Sequence, residues 1–281
     1  MVSYFPLLPS ITIPDCEEKI YGSLTFLNHP NNLKKANKFK NNSKTIFLGT
    51  YKFSKSVWEL ISIQKCNYGE FCDLNRNSIN ALSDEMVVSL VRYDDHFPEN
   101  SIILPKPESL RIDQAPVAER SSLNFHFRNS STTYQGEYPF GMSNLKNASF
   151  WSFDTLKEKL KNNKEIESFL ILMNITRDSS LQSEVNIEIY NPNEKAKKIN
   201  MKTSQNRFKI VNLRELTKNF EGISAEESLF IQCNKISFIP MILSVNVKTS
   251  QLSLEHTHPP TEMFWGREKF GTVKLIKERW L

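Results

Sequence analysis

Residues 185–201 read VNIEIYNPNEKAKKINM, and this stretch predicts a β-hairpin. An Asn-Pro-Asn turn at 191–193 separates two segments in which apolar and polar residues alternate. Alternation of this kind is the period of a strand that buries one face. The apolar positions are Val185, Ile187, Ile189, Ile199 and Met201. We therefore expect antiparallel β-structure in this part of the chain.

Short strand patterns recur on both sides of the hairpin. At 123–127, Leu, Phe and Phe alternate with polar residues, and Phe169–Asn174 is a nearly continuous apolar run suited to a central strand. One helix interrupts them, because Thr155-Leu156-Lys157-Glu158 is a capping-box pattern with Leu160 on the same face as Leu156. These segments predict a C-terminal antiparallel β-sandwich or jelly roll over residues 117–281.

The first 97 residues have a more mixed pattern. Val57–Ile63 is typical of a strand or a short helix, and Asp84–Val91 fits either. Prolines concentrate between Pro98 and Pro116, which predicts an extended linker or crossing at 98–116. The predicted fold class is therefore α+β: a smaller mixed α/β region at 1–97, the linker, and the C-terminal β domain at 117–281.

Two of the five histidines, His256 and His258, lie two residues apart on a predicted strand at 251–258. Strand parity places both on the side that carries Leu252 and Leu254, while Glu255 faces away. Two imidazoles on one face suit a divalent metal ion such as zinc or iron. The pair therefore predicts a metal site in a β-sandwich or jelly-roll pocket.

A metal site needs a third protein ligand. His126 is one candidate, although parity sets it opposite the apolar side of its own strand. Glu137, in a glycine-containing loop at 134–142, is the other, as a ligand or a general base. The preferred hypothesis is a metal-dependent enzyme in which the ion polarises a small polar substrate or activates water. The residues alone leave enzyme or non-enzyme open.

Aromatic residues support a different class of function. Six of them fall within residues 134–153, and Tyr134, Tyr138 and Trp151 represent this cluster. Exposed rings beside amide and hydroxyl groups stack on sugars, so a non-catalytic carbohydrate-binding or assembly module is the alternative. A buried aromatic core is the competing structural explanation.

Composition narrows the remaining classes. Eight glycines are few for 281 residues, and no glycine-rich phosphate-binding motif or nucleophile elbow is present. A net charge of +5 is spread thinly over the chain, so we expect no nucleic-acid partner. No apolar run predicts a membrane span, and four cysteines without a metal-ligand spacing favour free thiols in the cytoplasm. The sequence does not indicate the oligomeric state.

Overall fold

The computed structural model describes residues 3–28, 45–108, 121–136, 138–140, 149–154, 160, 162–181, 185–190, 198–218, 228–233 and 238–256. The chain divides into two compact units. Unit 1 comprises residues 1–144 and 176–181, and unit 2 comprises residues 145–175 and 182–281. The linker or crossing predicted from the sequence at 98–116 stays a prediction.

Unit 1 consists of antiparallel strands in two sheets. Its strands are β1 (Ser3–Pro6), β2 (Ile11–Thr12), β3 (Lys19–Leu27), β4 (Ile46–Ser54), β5 (Val57–Cys66), β6 (Phe71–Asn75), β7 (Val87–Arg92), β8 (Asn100–Ser101), β9 (Ser121–Phe127), β10 (Ser130–Gly136) and β11 (Tyr138–Pro139). Sheet 1 has the order β11-β1-β7-β4-β5-β8. Sheet 2 has the order β10-β9-β3-β2, with β6 also paired to β3.

The two sheets of unit 1 pack face to face through apolar side chains. Phe5 of β1 meets Phe26 of β3 with their ring centroids 5.0 Å apart. In β9, Leu123, Phe125 and Phe127 are buried, as the alternation predicts. Full burial of each such side chain stabilises the fold by about 1.5–3 kcal/mol. This core leaves the polar residues of β9 on the outer face of sheet 2.

The proline-rich segment covers the other face of sheet 1. Tyr4 Oη donates to the Pro105 carbonyl at 3.0 Å, and Tyr51 Oη donates to the Pro98 carbonyl at 3.1 Å. Trp58 Nε1 donates to the carbonyl of Arg177 at 3.1 Å, within the short segment 176–181 that returns to this unit. Both faces of sheet 1 are therefore occupied, while the outer face of sheet 2 carries partly exposed polar side chains.

Unit 2 also consists mainly of antiparallel strands. They are β12 (Ser149–Asp154), β13 (Ile166–Met173), β14 (Val185–Tyr190), β15 (Lys198–Thr203), β16 (Lys209–Asn212), β17 (Ser228–Cys233), β18 (Ile239–Asn246) and β19 (Leu252–His256), with helix α1 at Leu213–Lys218. One sheet has the order β12-β17-β14-β15 and the other β16-β13-β18-β19. A shared core that includes Leu170, Ile187 and Ile231 lies between them.

The strand pairing predicted for residues 185–201 is confirmed in unit 2, while the predicted turn at 191–193 lies outside the described residues. β14 pairs with β15 so that Ile187 lies opposite Met201 and Ile189 opposite Ile199. The central position of β13 is confirmed as well, because β16 and β18 pair with its two edges. Most of the predicted helix at 155–162 lies outside the described residues, although Leu160 is helical and buried.

Arg214 of α1 holds several segments of unit 2 together. Its Nε donates to Glu167 Oε1 at 3.0 Å, and its Nη2 donates to the carbonyls of Asn163 at 3.2 Å and Ile166 at 2.6 Å. Nη1 donates to the carbonyl of Leu160. Only 9% of the Glu167 side chain is exposed, and 25% of the Arg214 side chain. The ion pair is therefore largely removed from water.

The predicted α+β class is wrong. Strands hold 59% and helices 8% of the described structure, and the described part of residues 1–97 contains strands β1–β7 and no α-helix. Val57–Ile63 and Asp84–Val91 were ambiguous because apolar runs this short carry no clear helical period. In the structure, Val57–Ile63 lies within β5, and β7 begins at Val87, where β-branched valines suit a pleated strand. The correct class is antiparallel β-structure in both units.

None of the described helices is long and apolar enough to cross a membrane.

Candidate functional site

The outer face of sheet 2 carries polar side chains aligned in rows across four strands. Register places Thr133 of β10, Asn124 of β9, Ser23 of β3 and Asn75 of β6 side by side. The neighbouring row contains Ser122, Thr25 and Asp73, and a further row contains Ser131, His126 and Tyr21. We call these three rows the polar face. Alternation in β3 and β9 produces it, because every second residue of each strand enters the core.

Hydrogen bonds join the middle of the polar face into a chain. Thr133 Oγ1 donates to Asn124 Oδ1 at 2.8 Å, and Asn124 Nδ2 donates to Ser23 Oγ at 3.2 Å. Ser23 Oγ lies 2.8 Å from His126 Nε2. The tautomer of the imidazole decides which of these two atoms donates, because the Ser23 oxygen can accept a second hydrogen bond as well as donate one. The chain therefore fixes the orientation of a hydroxyl, an amide and an imidazole on adjacent strands.

His126 and Tyr21 stack across β9 and β3. Their ring centroids are 5.1 Å apart and their planes differ by 19°. Burial lowers the pKa of His126 from its usual 6.5, so the neutral imidazole prevails at neutral pH. The pair thus places a neutral imidazole against an aromatic ring.

An exposed aromatic side chain lies at the opposite end of the polar face. Phe71 of β6 is 63% exposed and pairs with Leu27, which is 40% exposed. Leu27 lies six positions after Tyr21 in β3, which corresponds to about 20 Å along the strand. The polar rows therefore extend between an aromatic pair at one end and an apolar surface at the other.

An ion pair fixes the turn beyond the Tyr21 end of the polar face. Arg128 Nε donates to Glu18 Oε2 at 2.7 Å, and Nη2 contacts the second carboxylate oxygen. The guanidinium holds the pKa of the Glu18 carboxyl below its usual value. Arg128 has a positive φ of 51° in the tight turn between β9 and β10. The two-fold contact with Glu18 therefore orients that turn beside β3.

The structure divides the predicted metal ligands between the units. His126 belongs to β9 of unit 1, whereas His256 ends β19 of unit 2. Register sets Leu254 opposite Leu243 and position 256 opposite Met241, while Glu255 lies opposite Ile242. The side chain of His256 is outside the described residues, so the face predicted for it by parity stays a prediction.

The other two predicted site residues, His258 and Glu137, lie outside the described residues. β10 ends at Gly136, which lies five positions, about 17 Å of strand, after Ser131, the residue paired with His126. Within the described ranges no group of three or more His, Cys, Asp or Glu side chains is placed to hold a metal. The metal-dependent enzyme therefore stays a prediction.

The aromatic surface proposed at 134–153 is not formed by its two tyrosines. Tyr134 is 4% exposed and Tyr138 is fully buried, because each packs into unit 1. The ring of Tyr134 occupies the space where a side chain on Gly136 would lie, which explains the glycine there. The side chain of Trp151 is outside the described set. A binding surface must therefore use other residues of the chain.

Sequence reasoning missed Tyr21, Ser23 and Phe71 as candidate site residues. Alternation in the segment KIYGSLTFL, residues 19–27, places Tyr21, Ser23 and Thr25 on one face and was an available signal. The pairing of β3 with β9 and β6 was not available, because the partners are far apart in the chain. Comparison of the chain with protein-family models, with curated proteins and with solved structures finds no match.

Proposed function

We propose that unit 1 is a non-catalytic carbohydrate-binding module and that the polar face of sheet 2 is its binding surface. The supporting observation is the hydrogen-bonded chain from Thr133 through Asn124 and Ser23 to His126. Sugars are recognised by hydroxyl, amide and imidazole groups of fixed orientation, and a surface whose groups are already ordered loses less entropy on binding.

The charge and shape of the polar face favour a neutral, extended glycan. Within its described rows the one carboxylate is Asp73, and no lysine or arginine belongs to them. Tyr21 at one end and Phe71 at the other offer rings that can contact sugar C–H groups. A chain of several sugar residues along the strands would contact both ends.

Affinity electrophoresis against neutral polysaccharides tests this proposal. The probes are soluble β-glucan, xylan, starch and glycol chitin, each cast into a native gel. We expect one of them to retard the protein, and Phe71→Ala to weaken binding by about 2–10-fold through loss of one aromatic contact. Asn124→Ala interrupts the hydrogen-bonded chain and should weaken binding at least as much.

Leu82→Ala is the matched control, because Leu82 is 60% exposed, similar to Phe71, and lies outside the polar face. Unchanged mobility of the wild-type protein in every gel would overturn the proposal. Retardation that Phe71→Ala, Asn124→Ala and Leu82→Ala all leave unaltered would also overturn it, since binding would then use another surface.

The predicted cytoplasmic location and the predicted lack of a nucleic-acid partner belong to the same proposal. All four cysteines are free thiols, which agrees with a reducing compartment. Fractionation with an antibody to the protein tests the location, and retention on immobilised DNA or RNA at physiological salt would contradict the second expectation.

A further inference from the structure

Strand β6 carries three chemically different side chains on the outer face of sheet 2. Phe71, Asp73 and Asn75 alternate along the strand with Cys72 and Leu74, which are buried. Alternate residues of a strand lie about 7 Å apart on one face, so the three side chains follow one another along this face. We call Phe71, Asp73 and Asn75 the β6 triplet. It offers an aromatic ring, a carboxylate and an amide.

The carboxylate of Asp73 is exposed and has no protein partner in the part of the chain that the structure describes. It forms neither an ion pair nor a hydrogen bond there. The backbone of the residue is nevertheless held on both sides, because its carbonyl accepts from Gln64 Nε2 at 3.3 Å and Thr25 of β3 pairs with it. A fixed strand therefore presents two carboxylate oxygens that remain available as acceptors.

The other members of the β6 triplet complement this carboxylate. Asn75 Oδ1 accepts the backbone N–H of Asn77 at 2.8 Å, and Asn75 Nδ2 forms no hydrogen bond with another described residue. On the other side of Asp73, the ring of Phe71 is 63% exposed and lies opposite Leu27. An acceptor, a donor and an apolar ring are thus arranged along about 13 Å of one strand.

A neutral sugar with two adjacent hydroxyl groups has the chemistry that fits this arrangement. Each carboxylate oxygen can accept one hydroxyl hydrogen, and hydrogen bonds to an ionised acceptor are about twice as strong as those between neutral groups. The C–H side of the same sugar can pack on an aromatic ring. An acidic sugar would instead place a like charge beside Asp73, which disfavours binding.

We propose that Asp73 is the specificity-determining residue of the polar face: its carboxylate binds two adjacent hydroxyls of a neutral sugar that contacts Phe71, and its charge excludes acidic sugars. Asn75 donates to an oxygen of the same glycan. This inference rests on the carbohydrate-binding function proposed for unit 1. It adds which sugars the Phe71 end of the polar face accepts and which it rejects.

Affinity electrophoresis with a matched pair of polysaccharides tests the role of the charge. The pair is the neutral polysaccharide that retards the wild-type protein and the carboxymethylated derivative of that polymer. We expect the wild-type protein to prefer the neutral polymer. Asp73→Asn keeps the shape of the side chain but removes the charge, so it should weaken binding to the neutral polymer about 5–20-fold and strengthen binding to the carboxymethylated one. A purely structural role would not change the two affinities in opposite directions.

Periodate treatment of the neutral polysaccharide tests the role of the adjacent hydroxyls. Periodate cleaves the bond between two carbon atoms that each carry a hydroxyl group. Polymer that has been oxidised in this way and then reduced should therefore no longer retard the wild-type protein. Equal retardation by treated and untreated polymer would overturn the assignment of a diol to Asp73.

Two further variants serve as controls. Asp95→Asn changes an aspartate outside the polar face whose side chain is 66% exposed, and it should leave both affinities unchanged. Asp73→Glu keeps the charge and should retain the discrimination against the carboxymethylated polymer. Equal effects of Asp73→Asn and Asp95→Asn on a protein that binds the neutral polymer would overturn this inference alone. A wild-type protein that no neutral polysaccharide retards would overturn the proposed function itself.

Discussion

Replacement of Arg214 by methionine should destabilise unit 2 strongly. The change removes the ion pair with Glu167 and the Arg214 donor to the carbonyls of Leu160 and Ile166, while the Asn163 carbonyl keeps the Ile166 N–H at 3.4 Å. Removing one partner of a buried ion pair costs about 3–5 kcal/mol. Asn212 Nδ2 still donates to Glu167 Oε2 at 2.9 Å, so we expect the lower end, about 3 kcal/mol.

Urea unfolding followed by circular dichroism measures this loss. With a slope of about 2 kcal/mol per molar urea, a loss of about 3 kcal/mol lowers the unfolding midpoint of unit 2 by about 1.5 M. The double variant Arg214→Met with Glu167→Leu should recover part of the loss, because it removes the buried charge that the single variant leaves unpaired.

Lys218→Met is the matched control for this experiment. Lys218 Nζ lies 2.7 Å from Glu215 Oε1 on the same helix, yet both side chains are 65% exposed. An exposed pair of this kind contributes about 0.2–1 kcal/mol at most. Equal midpoint shifts for Lys218→Met and Arg214→Met would refute the reasoning, as would a double variant no more stable than Arg214→Met.

Three further predictions concern individual side chains. The folded state lowers the pKa of His126 below 6.5, so the contribution of the neutral imidazole to the free energy of unfolding is fully present above pH 6.5 and is lost as the pH falls below that value. We expect His126→Gln to reduce the fall in the urea unfolding midpoint between about pH 8 and pH 5. An equal fall in the wild-type protein and in the variant would contradict this prediction. Burial and contact with Cys66 raise the pKa of the Cys72 thiol, which lowers its reactivity. When the protein is treated with an aromatic disulfide, mass spectrometry should show that Cys72 is labelled far more slowly than the partly exposed Cys16. Equal labelling rates for the two cysteines would contradict this prediction. If His256 and His258 bind zinc or iron, elemental analysis should find about one ion per chain and alanine at either position should release it; metal-free protein whose melting temperature no added ion changes would end that hypothesis.

Local patterns predicted individual strands better than they predicted the fold class. Alternation located β9 and the β14–β15 hairpin, because in each the apolar positions repeat every two residues. The first 97 residues were misassigned because Val57–Ile63 and Asp84–Val91 are short and apolar on both sides. These two segments form strands because both pair with β4, β5 at one of its edges and β7 at the other. β5 and β7 are separated in the chain, so this shared pairing is not visible in either segment alone.

The candidate site was less predictable than the strands. His126 was chosen as a metal ligand, and its position on the outward side of β9 followed from parity. Its actual partners, Ser23 and Tyr21, come from β3, about a hundred residues earlier in the chain. No spacing rule relates residues that distant. Tyr134 and Tyr138 failed as surface residues for a related reason, since composition does not indicate which aromatic rings a sheet will bury.

Unit 1 is formed by two separate segments of the chain, 1–144 and 176–181, and the second segment is translated after part of unit 2. Trp58 donates its indole N–H to Arg177, and the Leu104 N–H donates to the same carbonyl, yet Arg177 is reached only after β13 of unit 2 has been made. A nascent chain that has emerged only to residue 144 lacks this acceptor and leaves the indole nitrogen of a buried tryptophan unsatisfied. Unit 1 can therefore acquire its final hydrogen bonds only once residues 176–181 have left the ribosome. Its completion is delayed, although most of its residues are translated first.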